Sequence, residues 1–448
     1  MDWVTDSNAA LLTDLYELTM SASYHRRRMN REATFDLFVR ELPSRRNFLV
    51  MCGLEQALDY LERLRFEDDA IAYLRSLEMF DEEFLEYLSD FRFTGEVYAM
   101  PEGEIAFAGE PLVSVTGPLI EAQIVETFLL NCITFQTTIA SKAARIAVSC
   151  GDKSFVDYSP RRDHGADAAL KAARAAYIAG AAGTSNVLAG KVYGIPVSGT
   201  MAHSYVMAFE NEAEAFRAYA RDFPERAVFL IDTFDVEEGA RRAARVAQEL
   251  AGEGINISGV RIDSGDLGEL TRSVRKILDD SGLEDTTIIL SGDLDEYRIK
   301  ALLDDGVPAD AFGVGTQLGT SADAPALGGV YKLVAESGRP KMKLSTGKIT
   351  LPGHKQVHRT IRDGCYERDV ISLRDERIEG VELLQKVMER GRRTREPEPL
   401  DQIRDRCGRT LASLPKNLRS LDDAVEPYPV DLSDELRVLA EAMREQRR

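Results

Sequence analysis

The chain has 448 residues, of which 44% are hydrophobic and 29% are charged. This length is enough for two or three domains with a large core, and the composition excludes wholesale disorder. The formal net charge of -19 disfavours nucleic acid as a partner, because a polyanion is held by clustered lysines and arginines. An anionic substrate would therefore need a locally basic pocket.

The N-terminal part predicts a mixture of helices and strands. A helix is expected over residues 11–20, an alternating strand over 35–39, and further helices between 54 and 88. Short β-like pieces with Pro and Gly follow over residues 96–100 and 111–115 and predict a small sheet or sandwich. At the other end of the chain, an amphipathic helix is expected from Ser433 to about Gln446.

In the middle of the chain, short apolar runs alternate with helical patterns. The segments 236–250 and 266–278 are amphipathic and of helical length, so parallel strands with right-handed crossovers are expected. Six or seven such units favour an irregular TIM-like α/β barrel over an open sheet. The predicted strands cover residues 154–158, 195–198, 227–231, 258–262, 287–290, 311–314 and 329–334.

Glycines and carboxylates follow several of these strands, in the segments 259–267, 289–295 and 312–316. Glycine turns let backbone amides approach a phosphate closely, so their succession indicates a phosphate cradle at the strand ends. Asp263 and Asp266 have the chemistry to bind sugar hydroxyls or the waters of a Mg²⁺ ion. The alternative is helix capping by Asp263 and Ser264.

Residues 157–162 place Tyr158 beside Arg161 and Arg162 after another strand, which suits an aromatic platform with anion-binding groups. The alternative is a buried tyrosine with surface arginines. His203, one of only five histidines, follows Gly199 at the end of the strand 195–198 and is a candidate reactive group, or else a structural histidine. Together these segments suggest transfer of a phosphorylated sugar to a flat ring.

A basic segment lies against the acidic background of the chain. It suggests either a solvated hairpin or a binding site for a phosphorylated ligand. It contains a single acid, Glu336, among the basic residues Lys332, Arg339, Lys341, Lys343, Lys348, Lys355 and Arg359.

The five cysteines are widely spaced and have no Cys-x-x-Cys pair, so we expect reduced packing residues. His354 and His358 are four residues apart, but without a neighbouring carboxylate they make a poor metal site, and we assign no direct metal ligand. No apolar run approaches the roughly 18 residues of a membrane helix. The N-terminus lacks the basic start of a signal peptide, and we expect a cytoplasmic protein.

Several motifs together resemble the nicotinate phosphoribosyltransferase family, which is related to the nicotinamide and quinolinate phosphoribosyltransferases. The resemblance spans nearly the whole chain. It is carried by residues 11–20, 40–43, 47–50, 183–190, 199–204, 263–266 and 328–334.

The resemblance implies an enzyme of NAD biosynthesis that joins nicotinate to 5-phosphoribosyl 1-diphosphate. The products would be nicotinate mononucleotide and diphosphate, with Mg²⁺ as cofactor. It also implies coupled ATP hydrolysis through a phosphorylated histidine, and a homodimer with active sites at its interface. By motif match the phosphorylated residue would be His203, oriented by Asp232, with Asp263 as a further catalytic group facing the ribose or its Mg²⁺.

The resemblance also assigns two sets of binding residues. Those for nicotinate would be Tyr16, which comes from the partner subunit, together with Tyr158, Thr200 and Arg261. Those for phosphoribosyl diphosphate would be Arg161, Arg162, Asp266, Gly292, Gly313, Gly315 and Thr316. Relatives commonly have Asp or Glu-Phe-Gly-x-Arg-Arg where this chain has Asp157-Tyr158-Ser159-Pro160-Arg161-Arg162, so Pro160 puts the register of the two arginines in doubt.

Three alternatives remain open. Nicotinamide phosphoribosyltransferases place an aspartate in the segment that matches residues 183–185, where this chain has Ser185, which favours a carboxylate substrate. A quinolinate enzyme would need further cations, and a catalytically silent barrel would bind phosphosugars or nucleotides without turnover. The expected domains are an N-terminal α+β domain with a small β-sandwich (1–120), the barrel (121–334), and a basic β segment with helices that packs on the N-terminal domain (335–448).

Overall fold

In the computed structural model, which describes residues 4–345 and 350–446, the chain divides into two compact units. The first unit consists of Met1–Ser141 together with Ala326–Arg448, and the second is the continuous segment Lys142–Pro325. The first unit is therefore assembled from both ends of the chain. The three-part division at residues 120 and 334 stays a prediction.

The chain contains both helices and strands, and they alternate most regularly from β7 to α14. The helices are α1 (Leu15–Arg26), α2 (Leu54–Arg63), α3 (Asp68–Ser76), α4 (Glu82–Ser89), α5 (Leu119–Ile124), α6 (Glu126–Cys150), α7 (Ala166–Ile178), α8 (Val187–Tyr193), α9 (His203–Met207), α10 (Glu212–Asp222), α11 (Val236–Ala251), α12 (Leu267–Asp279), α13 (Glu296–Asp304), α14 (Thr316–Gly319), α15 (Leu400–Ser413) and α16 (Asp434–Glu445). The strands are β1 (Glu32–Val39), β2 (Leu49–Val50), β3 (Glu96–Ala99), β4 (Ile105–Ala106), β5 (Pro111–Pro118), β6 (Ser154–Asp157), β7 (Val228–Leu230), β8 (Gly259–Ile262), β9 (Thr287–Leu290), β10 (Ala311–Val314), β11 (Gly329–Glu336), β12 (Arg339–Pro340), β13 (Lys355–Arg362), β14 (Cys365–Leu373), β15 (Val381–Glu382), β16 (Gln385–Glu389), β17 (Arg392–Arg393) and β18 (Val430–Leu432).

The first unit is built on a seven-stranded sheet in the order β12-β11-β1-β5-β3-β16-β17, with antiparallel neighbours throughout. β1 lies inside this sheet and is buried at every position after Glu32. The predicted β-like pieces 96–100 and 111–115 are strands β3 and β5 of this sheet. A four-stranded sheet, β15-β13-β14-β18, and the pair β2-β4 complete the unit.

The pairing that the sequence predicted for one strand is wrong. Residues 329–334 were expected to continue the parallel series, but β11 pairs antiparallel with β1 in the first unit. The reason lies in the connection before it, because a parallel strand needs a crossover of a dozen or more residues, usually with a full helix. Between β10 and β11 the chain forms only α14, a helix of four residues.

The basic segment is partly a set of buried ion pairs. In the first unit, Lys355 lies 2.8 Å from Asp36, and Arg359 binds Asp369 and Glu104 at 2.5 and 2.8 Å. Both cations are almost fully buried. Lys355 and Arg359 therefore have a structural role, and the two roles expected for them, in a solvated hairpin or in a phosphate site, are wrong. Lys348 lies outside the described residues.

The second unit carries the parallel sheet, in the order β6-β10-β9-β8-β7. Parallel bridges from Asp157 to Thr184 and from Thr184 to Val197 extend it beyond β6. The last strand of the second unit, β10, thus pairs with its first strand, β6, and the other segments of the sheet follow in chain order, as in a barrel. No pairing between Val197 and β7 is recorded among the described residues, so full closure stays a prediction.

Helices α11 and α12 follow β7 and β8 and each buries one apolar face, as their spacing predicts. Both begin at an aspartate side chain: Asp235 accepts the N–H of Glu238, and Asp266 accepts those of Gly268 and Glu269. Helix capping by Asp263 and Ser264, the alternative to a binding role, is therefore wrong for α12, because Asp266 caps this helix.

None of the five cysteines, which all lie in the described residues, forms a disulfide, and every one except Cys365 is buried. His358 lies in β13 and His354 directly precedes it, so the two do not share a helical face. The Nε2 atom of His358 forms a hydrogen bond with the hydroxyl of Ser372 at 3.1 Å. Within the described part of the chain, no helix is both long and apolar enough to cross a membrane.

Candidate active site

The predicted site residues of the second unit collect at the carboxyl ends of its parallel strands. In a parallel sheet these ends lie at one edge, where active sites of such folds are found. β6 is followed by Tyr158, β7 by Asp232 and β8 by Asp263; β9 is followed by Gly292 and β10 by Gly315. The sequence order of the strands therefore brings together side chains that lie far apart in the chain.

His203 is the first residue of α9, and its side chain is 40% exposed. Its Nδ1 lies 3.2 Å from the hydroxyl of Thr233, which directly follows Asp232. Its Nε2 lies 3.9 Å from Oδ2 of Asp263, within ion-pair range but too far for a hydrogen bond. The imidazole is thus bonded at one nitrogen and faces a carboxylate with the other.

Asp232 is mostly buried and supports Asp263 and its neighbour. Its Oδ2 accepts the backbone N–H of Asp263 at 3.0 Å and the hydroxyl of Ser264 at 2.7 Å. The contact that the structure shows to the imidazole of His203 comes instead from Thr233.

Arg261, on β8, links three of the predicted site residues. It donates to the hydroxyl of Thr200 at 2.5 Å and to Oδ1 of Asp263 at 3.4 Å, and its guanidinium carbon lies 5.8 Å from the ring centre of Tyr158. Its buried Nε has no protein partner. Since a buried donor without a partner is costly, this N–H suits an anionic ligand. Oδ1 of Asp263 also accepts the hydroxyl of Ser291 at 2.5 Å.

Tyr158 packs against β10 through a glycine. Its backbone N–H donates to Val314 at 2.8 Å, and a Cβ on Gly313 would stand 2.4 Å from two ring carbons. Only glycine therefore leaves room for the ring. Gly292 has a positive φ of 94°, and a Cβ there would lie 2.0 Å from the backbone oxygen of Asp263, so this turn also requires glycine.

The carboxylate of Asp157, the residue before Tyr158, is buried and fixes the neighbouring strand end. It accepts the N–H of Ser159 at 2.9 Å and the hydroxyl of Thr184 at 2.7 Å, while burial raises its pKa. Ser185 follows Thr184, and its hydroxyl is buried without a protein partner. A free hydroxyl at this position is ready to bind a ligand oxygen.

Arg161 and Arg162 are exposed. Arg161 reaches the backbone oxygen of Tyr158 at 3.4 Å, which keeps its guanidinium near the strand end. Thr316 begins α14 after Gly315 and is exposed. These groups therefore lie beside the same edge with donors available.

Tyr16 belongs to the first unit, on α1, and its side chain is about half exposed at 47%. The neighbouring Glu17 is fully buried, and its Oε2 accepts a hydrogen bond from Gln123 at 2.5 Å. The exposed half of the Tyr16 side chain is open to contact with another molecule.

Sequence reasoning missed Thr233, Ser291 and Asp163. The available signal was that each of them follows a predicted strand within a few residues. Hydroxyls and carboxylates are common in loops, however, so this signal does not distinguish a site residue. Asp163 accepts the hydroxyl of Ser159 at 3.1 Å, and burial, followed by the charge of Asp157, raises its pKa to about 6.

Among the described residues, no cluster of three or more His, Cys, Asp or Glu side chains forms a direct metal site. Asp263 and Asp266 are half-buried and exposed, respectively, at the edge of the sheet. This donor set fits Mg²⁺ held through its waters, which is the usual way in which Mg²⁺ binds beside phosphates.

A parallel sheet with a polar carboxyl edge is typical of α/β enzymes, whose active sites lie at the strand ends. Three family profiles match the chain, and they describe the N-terminal domain of nicotinate phosphoribosyltransferase (residues 11–134), the nicotinate phosphoribosyltransferase family (154–345) and the C-terminal domain (330–440). The chain belongs to the nicotinate phosphoribosyltransferase family.

Individual relatives agree with this assignment. A nicotinate phosphoribosyltransferase from Mycobacterium tuberculosis is 47% identical over 436 residues, which cover 97% of this chain and 93% of the relative. The crystal structure of human nicotinic acid phosphoribosyltransferase matches with a TM-score of 0.87 at 29% identity, over 96% of this chain and 99% of the human chain. A nicotinate-nucleotide pyrophosphorylase structure from Pyrococcus furiosus matches with a TM-score of 0.76 at 25% identity, over 92% and 97% of the two chains.

Proposed function

We propose that this enzyme joins nicotinate and 5-phosphoribosyl 1-diphosphate to give nicotinate mononucleotide and diphosphate, and that it couples this reaction to ATP hydrolysis through phosphorylated His203. The observation that carries the proposal is the contact network of Arg261, Thr200, Asp263 and Tyr158 beside His203 at one strand edge. The enzyme would act in NAD biosynthesis.

Nicotinate has a flat ring and a carboxylate, and the edge offers partners for both. The ring of Tyr158, held by Gly313, supplies a stacking face. The unpartnered Nε of Arg261 and the free hydroxyl of Ser185 are donors for the carboxylate, beside the hydroxyl of Thr200. Tyr16 of a partner subunit would cover the second face of the ring in a homodimer.

The transfer itself breaks the bond between the anomeric carbon and diphosphate and forms a bond from that carbon to the pyridine nitrogen. Positive charge develops on the ribose, so a carboxylate near the sugar stabilises the transition state. Asp263 is suited to this role because Asp232 holds its backbone and Ser291 its side chain.

The phosphate groups would bind where glycine turns and cations meet at this edge. When bound, Mg²⁺ would neutralise charge on the departing diphosphate, with its waters on Asp263 and Asp266. The exposed guanidinium groups of the loop after Tyr158 would hold anionic oxygens, and the turns after β9 and β10 would cradle the 5-phosphate. These binding residues are Arg161, Arg162, Gly292, Gly313, Gly315 and Thr316.

His203 would act on ATP and not on the glycosidic bond. One imidazole nitrogen attacks the γ-phosphorus, ADP leaves, and water later cleaves the phosphorus–nitrogen bond to release phosphate. The half-exposed ring beside a carboxylate has the access that such a cycle requires. Cytoplasmic location and the homodimer belong to the same proposal.

The proposal is tested by measuring diphosphate release with nicotinate and with nicotinamide side by side, each with and without ATP. We expect a clear preference for nicotinate, faster release with ATP, and nicotinate-dependent formation of ADP. Equal rates for the two pyridines would contradict the substrate. Binding of phosphoribosyl diphosphate without turnover would instead favour a non-catalytic barrel.

A further inference from the structure

Resting on the proposed function, we infer that Thr233 is the positioning residue of His203: its hydroxyl holds the imidazole in the orientation needed for phosphoryl transfer. The hydroxyl oxygen lies 3.2 Å from Nδ1 of His203. Among the described residues, Thr233 is the one that forms a hydrogen bond with the imidazole ring. Because the His203 side chain is half-exposed, this bond limits the rotation of the ring.

The carboxylate of the adjacent Asp232 makes its hydrogen bonds to other groups, and none from it to the imidazole is seen among the described residues. The Oδ2 atom of Asp232 accepts two donors, the N–H of Asp263 and the hydroxyl of Ser264. The carboxylate of Asp263 approaches Nε2 only to 3.9 Å and is itself bonded to Ser291. Of these two consecutive residues after β7, Asp232 thus holds the backbone of Asp263, and Thr233 holds the ring of His203.

A hydroxyl suits an imidazole that changes its state during a catalytic cycle. It accepts a hydrogen bond when Nδ1 carries a proton and donates one when Nδ1 is bare. A carboxylate would only accept and would favour the charged ring. Thr233 can therefore hold the ring before and after a proton moves, which a purely ionic partner cannot.

The test compares Thr233→Val, which keeps the shape and removes the hydroxyl, with Thr233→Ser, which keeps the hydroxyl. We expect nicotinate-dependent ATP hydrolysis to lose about tenfold in kcat with Val, the scale of one hydrogen bond, and to recover to within about twofold with Ser. The KM for nicotinate should change much less than this kcat. Thr287→Val is the matched control, because it removes the hydroxyl bond of Thr287 to Ser258 at the amino end of β9.

A second readout needs no turnover. In protein with nitrogen-15-labelled histidine, the signals of His203, assigned with His203→Ala, report which ring nitrogen carries the proton. We expect Thr233→Val to shift these signals and Thr233→Ser and Thr287→Val to leave them nearly in place. Unchanged signals in Thr233→Val, or a Ser variant as impaired as Val, would overturn the inference. Absence of nicotinate-dependent ATP hydrolysis in the unmodified enzyme would refute the proposed coupling, while the nitrogen signals would still decide the role of Thr233.

Discussion

The ring of Tyr158 lies so close to Gly313 that a single added carbon would stand 2.4 Å from two ring atoms. We expect Gly313→Ala to displace the ring and to raise the KM for nicotinate by about tenfold, since stacking depends on its position. Steady-state kinetics measure this. Gly408→Ala is the control, because nothing lies within 4 Å of a Cβ at Gly408 in helix α15. An unchanged KM for nicotinate in Gly313→Ala would show that the ring of Tyr158 does not bind nicotinate.

His203→Ala should abolish nicotinate-dependent ATP hydrolysis and retain slow transfer without ATP. The reason is that the imidazole receives the phosphoryl group in the proposed cycle but does not form the glycosidic bond. ADP and diphosphate are measured in the same reaction. If ATP hydrolysis persists in this variant, His203 is not the phosphorylated residue.

Ser185→Asp tests the choice between a carboxylate and an amide. An aspartate at this partly exposed position would repel the carboxylate of nicotinate and accept a hydrogen bond from the amide of nicotinamide. We expect kcat/KM for nicotinate to fall by about 100-fold, with a smaller loss for nicotinamide. Ser185→Ala is the companion variant, which removes the hydroxyl without adding charge. Equal losses of kcat/KM for the two pyridines would show that Ser185 does not distinguish nicotinate from nicotinamide.

Asp163 gives a pH-dependent prediction. Burial raises its pKa from 3.8 to about 6, so the folded state binds more protons than the unfolded state between these values. Unfolding free energy should therefore fall as pH rises through this window. Asp163→Asn stays neutral and should be more stable above pH 6 by roughly 1 kcal/mol, discounted for partial exposure, with no gain below about pH 4.

Urea unfolding at several pH values measures the effect of Asp163→Asn. Asp152→Asn serves as the control, since the side chain of Asp152 is 87% exposed. A gain in Asp163→Asn that is the same at every pH would contradict the assigned cause.

The buried pair of Lys355 and Asp36 should be essential to the first unit. Lys355→Met leaves a buried carboxylate without its cation and should cost about 3–5 kcal/mol of unfolding free energy. Adding Asp36→Asn should recover part of this loss. Lys341→Met breaks the partly exposed pair with Glu336 and should cost at most about 1 kcal/mol. Equal costs in chemical denaturation would show that burial does not distinguish the two pairs.

The sequence was most informative where a local pattern decides the structure. Strands β6 to β10 appear as short apolar runs, and α11 as an amphipathic stretch, so the parallel order and the polar edge could be predicted. β11 is an apolar run of the same kind, and only its pairing with β1 reveals its place. Composition could not show that Lys355 and Arg359 are buried, because Asp36 and Glu104, with which they pair, lie far away in the chain.

Within the site, a single carboxylate or histidine at a strand end is conspicuous, whereas the hydroxyl of Thr233 is not. Asp232 was the natural candidate to orient His203 because carboxylates commonly do so. Which of two adjacent side chains faces the imidazole depends on the backbone after β7, a detail of geometry that residue types do not encode.

The pairing of β1 with β11 has a consequence for biosynthesis. β1 leaves the ribosome early, yet the strand that covers one of its edges begins at Gly329, so that edge waits for most of the chain to be made. The second unit is continuous and can fold during this interval. Until β11 arrives, β1 presents an apolar strand edge, the kind of surface that chaperones cover and that aggregates form on. Production of this enzyme should therefore depend on translation reaching its C-terminal third without delay.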